Sequence, residues 1–170
     1  MKQKNIYRLS DNYLRFFIKY IEPNLPKIEK NAYEEIALSS LPGWETMMGF
    51  QVENLLLKNR PLLLKSLGIE AVELVADNPF IQYQTTRYKG CQIDYLIQAH
   101  SKNLYFCEFK FKRRELGLEV IESTKEKEQR LSAPRGFAKI PVLFHLGDVT
   151  QAVFDERYFY RIIDITSYLD

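Results

Sequence analysis

Residues 90–112, GCQIDYLIQAHSKNLYFCEFKFK, constrain the fold more than any other stretch of the chain. Two runs rich in β-branched and aromatic residues, 91–99 and 104–111, flank the polar turn His100-Ser101-Lys102-Asn103, which predicts a β-hairpin. Side chains alternate faces along a strand. Leu104, Phe106, Glu108 and Lys110 therefore share one face of the second run, and Tyr105, Cys107, Phe109 and Phe111 the other. In the first run Asp94 interrupts Ile93, Tyr95, Leu96 and Ile97. A strand apolar on both faces is buried, and a lone carboxylate there is costly. Asp94, Glu108 and Lys110 need a shared reason to be present. One is a metal site, since carboxylate oxygens from neighbouring strands suit Mg²⁺ or Mn²⁺ and a lysine beside them can orient a water or hold a phosphate oxygen. The other is a buried salt bridge between Lys110 and one acid. The residue pattern leaves both open.

On the N-terminal side, Ser10 can cap a helix over residues 11–21 with Asp11 in its first turn. Tyr13, Leu14, Phe16, Phe17, Ile18, Tyr20 and Ile21 make that helix apolar nearly all round, a pattern that calls for burial on several sides. Pro23 and Pro26 are expected to break it. A second helix is predicted over 31–41, ended by Pro42-Gly43. A third is predicted over 44–59, closed by Pro61, with the stripe Trp44, Met47, Met48, Val52, Leu55 and Leu56. Glu53 sits at the edge of that stripe, either as an exposed flank residue or pointing over the strands at Asp94 and Glu108.

Residues 68–76 and 80–88 read as two further strands, with Lys89-Gly90 turning into the hairpin. A helix is expected over 118–131, with Lys125 and Gln129 one turn apart, then an apolar strand over 140–146. A strand, helix, strand order of this length implies a parallel neighbour through a right-handed crossover. Residues 158–165 read as a last strand and 166–170 as a helical turn. At 170 residues the chain suits one domain with a real core, and 46% hydrophobic and 14% aromatic content exclude disorder. A net charge of +2 does not argue for nucleic acid by itself, so any basic surface must be local. Cys91 and Cys107 have no zinc-like spacing and read as reduced thiols. Residues 1–5 lead into no long apolar run and nothing reaches transmembrane length, which predicts a cytoplasmic protein without a membrane partner.

A helix carrying Glu53, three antiparallel strands carrying Asp94 and Glu108-Phe109-Lys110, a helix and a parallel strand: this order resembles the PD-(D/E)XK nuclease superfamily over roughly residues 44–146. The resemblance implies an α/β, restriction-endonuclease-like core with extra N-terminal helices. Asp94 matches the first motif acid, with Ile93 at the proline position; Glu108 and Lys110 match the (D/E)XK acid and lysine, and Glu53 the acid of the first core helix. Lys125 and Gln129 lie where some members place extra polar residues. More narrowly, YRLSDNYLRFFIKYIEPN and GFQVENLL look like the C-terminal, DUF234-type region of AAA-type ATPases of the archaeal kind. Residues 1–43 would then join the domain of residues 44–170 to ATPase and winged-helix modules of a longer chain, or to a second copy in a homodimer. The chain itself has no GxxxxGK[ST] loop.

The resemblance implies a Mg²⁺- or Mn²⁺-dependent DNA endonuclease. Asp94, Glu108 and Glu53 would hold the metal, assisted by the Phe109 carbonyl, and Lys110 would position the attacking water. Arg87, Lys89, Lys112, Arg113 and Arg114, with Lys125 and Gln129, would touch the nucleic acid; a solvated face is the alternative for the basic ones. The competing reading is a non-catalytic module that binds nucleic acid or a protein partner. A Ser-His-Asp hydrolase is disfavoured because no GxSxG elbow occurs.

Overall fold

The hairpin forms where the alternation places it. In a computed structural model that describes residues 9–168, β2 (Cys91–Ala99) and β3 (Asn103–Phe111) pair antiparallel, with Tyr95 opposite Cys107 and Gln98 opposite Leu104. The protein is a mixed α/β structure whose described residues build a five-stranded sheet in the order β1-β2-β3-β4-β5. β1 (Leu74–Gln82) is antiparallel to β2, whereas β4 (Ala138–Leu146) and β5 (Arg161–Asp164) continue the sheet in parallel. The parallel β3–β4 pair is the one expected from the long helical connection.

Six α-helical segments accompany the sheet among the described residues: α1 (Asn12–Phe16), α2 (Leu25–Ile28), α3 (Trp44–Lys58), α4 (Arg60–Leu67), α5 (Glu119–Arg130) and α6 (Gln151–Asp155). The chain divides into two compact units, Met1–Asn54 and Leu55–Asp170, with the division inside α3.

In the first unit α1 runs on into a π-helical turn, Phe17–Ile21. Its cap is Asp11, not Ser10: the Asp11 carboxylate accepts the Leu14 amide at 2.8 Å. Tyr20 is buried, its hydroxyl donates to the Pro42 carbonyl at 3.0 Å, and its ring packs with Phe16 and Trp44. Tyr13, Leu14 and Ile18 stay exposed, so this helix is only partly covered, less than its apolar circumference called for. Pro23 and Pro26 do not stop helical structure. Both sit in first turns, of the 3₁₀ turn Glu22–Asn24 and of α2, where a missing N–H costs nothing. The helix expected over 31–41 is absent; turns and a 3₁₀ segment, Leu38–Ser40, replace it. Asn31 takes φ 57°, most of these residues are exposed and none is buried, so no buried face pays back the ordering of a short helix.

In the second unit Pro61 starts α4 instead of closing α3, and Gly68 at φ 70° ends α4. The two strands expected over 68–76 and 80–88 are one, β1, which passes through Pro79; residues 83–90 are loop. An edge strand tolerates proline, and Pro79 also lies opposite an irregularity in β2. The helical turn Thr166–Tyr168 forms where expected, and residues 169–170 lie outside the described residues, as do residues 1–8 at the start of the predicted N-terminal segment.

α5 covers one face of the sheet. Val120 and Ile121 pack with Leu143, Val153 and Phe159, while Leu131 beyond its C-terminus packs with Ile93 and Phe106. The end of β4 closes against the end of β3: the Lys112 amide donates to the Leu146 carbonyl, and Gly147 follows at φ 111°. A Cβ on Gly147 would stand 2.2 Å from the Lys112 carbonyl oxygen. Gly147→Ala should therefore destabilise by about 2 kcal/mol or more, read as a lowered denaturation midpoint with unchanged slope.

Candidate functional site

Two neighbouring strands separate at the position where the unusual carboxylates stand. Along β1–β2 the register steps from Asn78–Leu96 to Phe80–Ile93, so Asp94 and Tyr95 together face Pro79. Such a bulge bends its strand and raises its twist. Along β2–β3 the ladder stops at Tyr95–Cys107, although β2 continues back to Cys91 beside β1 and β3 runs on to Phe111 beside β4. The two strands thus open into a notch, with Asp94 on one arm and Glu108, Phe109 and Lys110 on the other. The Asp94 carboxylate stands in for the missing ladder acceptor, taking the Phe109 amide at 2.9 Å. Behind the bulge, the buried Tyr95 hydroxyl donates to Asp77 at 2.5 Å, and Arg60 reaches the Asp77 carbonyl at 3.1 Å. Burial, and then Asp77, push the Tyr95 hydroxyl up, so it keeps its proton and its role as a donor.

Glu108 is only 2% exposed and is held by two ammonium groups. Lys110 reaches Oε1 at 2.6 Å, and Lys127 of α5 reaches Oε1 at 2.8 Å and Oε2 at 2.6 Å. Of the two expected readings, the salt bridge is present: the buried Glu108 pairs with Lys110. Lys127 was not among the expected residues. Lys125 and Gln129, which were, are exposed, and Lys125 lies over the Tyr158 ring at 5.3 Å. The helical spacing held the signal: Val120, Ile121 and Thr124 form the buried stripe of α5, and Lys127 is the charge that continues it. The next residue, Glu128, accepts the Tyr158 hydroxyl at 2.8 Å, and its carbonyl accepts Lys139 at 2.7 Å.

Around the notch, Gln82 at the end of β1 donates to the Lys89 and Arg130 carbonyls and accepts the Ser132 amide, tying the 83–90 loop to the end of α5. Arg87 and Lys89 are exposed on that loop, and Arg113 and Arg114 are exposed after β3. Lys112 is half-buried and pairs with Glu119 at 3.6 Å. Burial pushes both thiols, Cys91 and the fully enclosed Cys107, up, which keeps them protonated and poor metal ligands.

Glu53 is half-buried on α3 and belongs to the first unit. Among the described residues no three or more acidic, histidine or cysteine groups gather as a metal-holding cluster. The donors that the second unit itself offers along the notch are two carboxylates, Asp94 and Glu108. That chemistry fits Mg²⁺, which is commonly bound through one or two carboxylates with waters and substrate phosphates completing its shell. No family model, curated protein or solved structure matches this chain, and no helix among the described residues is long and apolar enough to cross a membrane.

Proposed function

We propose that the chain is a metal-dependent phosphodiesterase domain that cleaves nucleic acid, a PD-(D/E)XK nuclease-like module of an AAA-type ATPase. One observation carries the reading: at the β2–β3 opening Asp94 holds the Phe109 amide, and Glu108, the residue before Phe109, is paired with the ammonium groups of Lys110 and Lys127. Asp94 and Glu108 would hold Mg²⁺ or Mn²⁺, which when bound polarises the scissile phosphate and acidifies a water. Lys110, on the same strand as Glu108, orients that water and offsets charge developing on the phosphate. Arg87, Lys89, Arg113 and Arg114, exposed in the loops beside the two arms, hold the phosphate backbone without reading sequence.

Cleavage of plasmid DNA and of single-stranded DNA and RNA with Mg²⁺ or Mn²⁺ tests the reading. Lys110→Ala should cut cleavage at least ~10²-fold while Mn²⁺ binding persists. The fold should survive, because Lys127 still pairs with Glu108. No cleavage of any of these substrates by the wild-type chain, or equal cleavage by Lys110→Ala, would sink it. The alternative, a non-catalytic interaction module, draws on the exposed Tyr13, Leu14 and Ile18 of the N-terminal helix. Such a module would be indifferent to metal and to Lys110.

A further inference from the structure

We propose that Lys127 is a displaceable counter-cation seated on Glu108, which a divalent ion must expel in order to bind. The inference rests on reading Asp94 and Glu108 as metal ligands. Lys127 is the only one of the two lysines that touches both carboxylate oxygens, at 2.8 and 2.6 Å; Lys110 touches Oε1 alone. A metal ion approaching Oε2 therefore meets the Lys127 ammonium first. Glu108 is 3% exposed in its side chain, and Lys127 sits on its Oε2 edge. Lys127 itself is 27% exposed and comes from a helix, so its four-carbon stem can swing outward with no change in the backbone.

Charge explains the arrangement. Without metal, two carboxylates and two ammonium groups sum to zero, so the buried Glu108 needs no ion to remain folded. With a divalent ion bound, the released ammonium adds to a site that has become cationic and stands at the mouth of the notch. Metal entry then raises the attraction for a polyanion by more than the ion alone. Lys127 acts through Glu108, as a positioning residue that guards the empty site and not as a ligand.

Calorimetric titration with Mn²⁺ of the wild type, Lys127→Gln and Lys127→Arg tests this. Lys127→Gln keeps a hydrogen-bond donor without the charge and should bind Mn²⁺ about tenfold more tightly. Lys127→Arg keeps the cation and should bind no more tightly than the wild type. A second measurement needs no variant: acetylation of Lys127 by a soluble acylating reagent, read by mass spectrometry, should speed up several-fold at saturating Mn²⁺ while acetylation of the exposed Lys125 changes little. If Lys127→Gln does not fold, the acetylation result decides alone. Unchanged or weaker Mn²⁺ binding by a folded Lys127→Gln, or unchanged Lys127 acetylation in a wild type that binds Mn²⁺, overturns the inference and leaves the phosphodiesterase reading standing. Failure of the wild type and of Lys127→Gln to bind Mn²⁺ at all overturns both.

Discussion

Glu108→Ala should lower the melting temperature by about 10 °C, because it strands two partly buried ammonium groups that now have no anion between them. Both lie within 2.8 Å of Glu108 Oε1. They are thus no more than about 5 Å apart and would repel by at least about 3 kcal/mol at an effective dielectric near 20. Breaking a buried pair from one side typically costs about 3–5 kcal/mol, more than most core truncations of a single methylene. Removing Lys127 together with Glu108 should recover part of the loss, since one of the stranded charges leaves too. Differential scanning calorimetry of the single and double variants measures this directly. A Glu108→Ala protein that melts like the wild type would mean that the two lysines are solvated and that their pairing with Glu108 does not hold the fold.

Asp94→Asn, by contrast, should leave the melting temperature within a few degrees of the wild type and cut cleavage at least ~10²-fold. The amide oxygen of asparagine can still accept the Phe109 amide, so the opening of the notch is preserved. What is lost is the negative charge that would hold a divalent ion, and with it both polarisation of the phosphate and activation of water. Asp94→Ala separates the two effects, because it also orphans the Phe109 amide and should cost about 1–3 kcal/mol of stability. Cleavage and melting curves measured on both variants give the comparison. Wild-type cleavage by Asp94→Asn would show that the activity does not run through this carboxylate.

The features legible in the sequence were those with a strong local period or an energetic contradiction. The β2–β3 hairpin, the parallel β4 after a long helical connection, and the misplaced charges Asp94 and Glu108 all belong to that kind. Prolines misled where their position within an element mattered: Pro26 and Pro61 begin helices, and Pro79 runs through an edge strand. The sequence 31–41 has helix-forming residues but no face that the fold buries, so propensity alone did not suffice. Lys127 was missed although the logic that singled out Asp94 applies to it, a charge within an apolar stripe. The bulge opposite Pro79 has no comparable local signal, because it depends on the pairing of two strands.

The early end of the β2–β3 ladder also leaves an interrupted strand edge inside the sheet, which the Asp94 carboxylate covers only at the Phe109 amide. Such an edge is a template on which a stray extended segment can add by main-chain pairing. Lys110 lies along one arm, and Lys127 crosses from the covering helix to the same carboxylate. Charged side chains on or over an open edge discourage that pairing. The two ammonium groups paired with Glu108 therefore also act as gatekeepers against association of edges, whatever chemistry the notch carries.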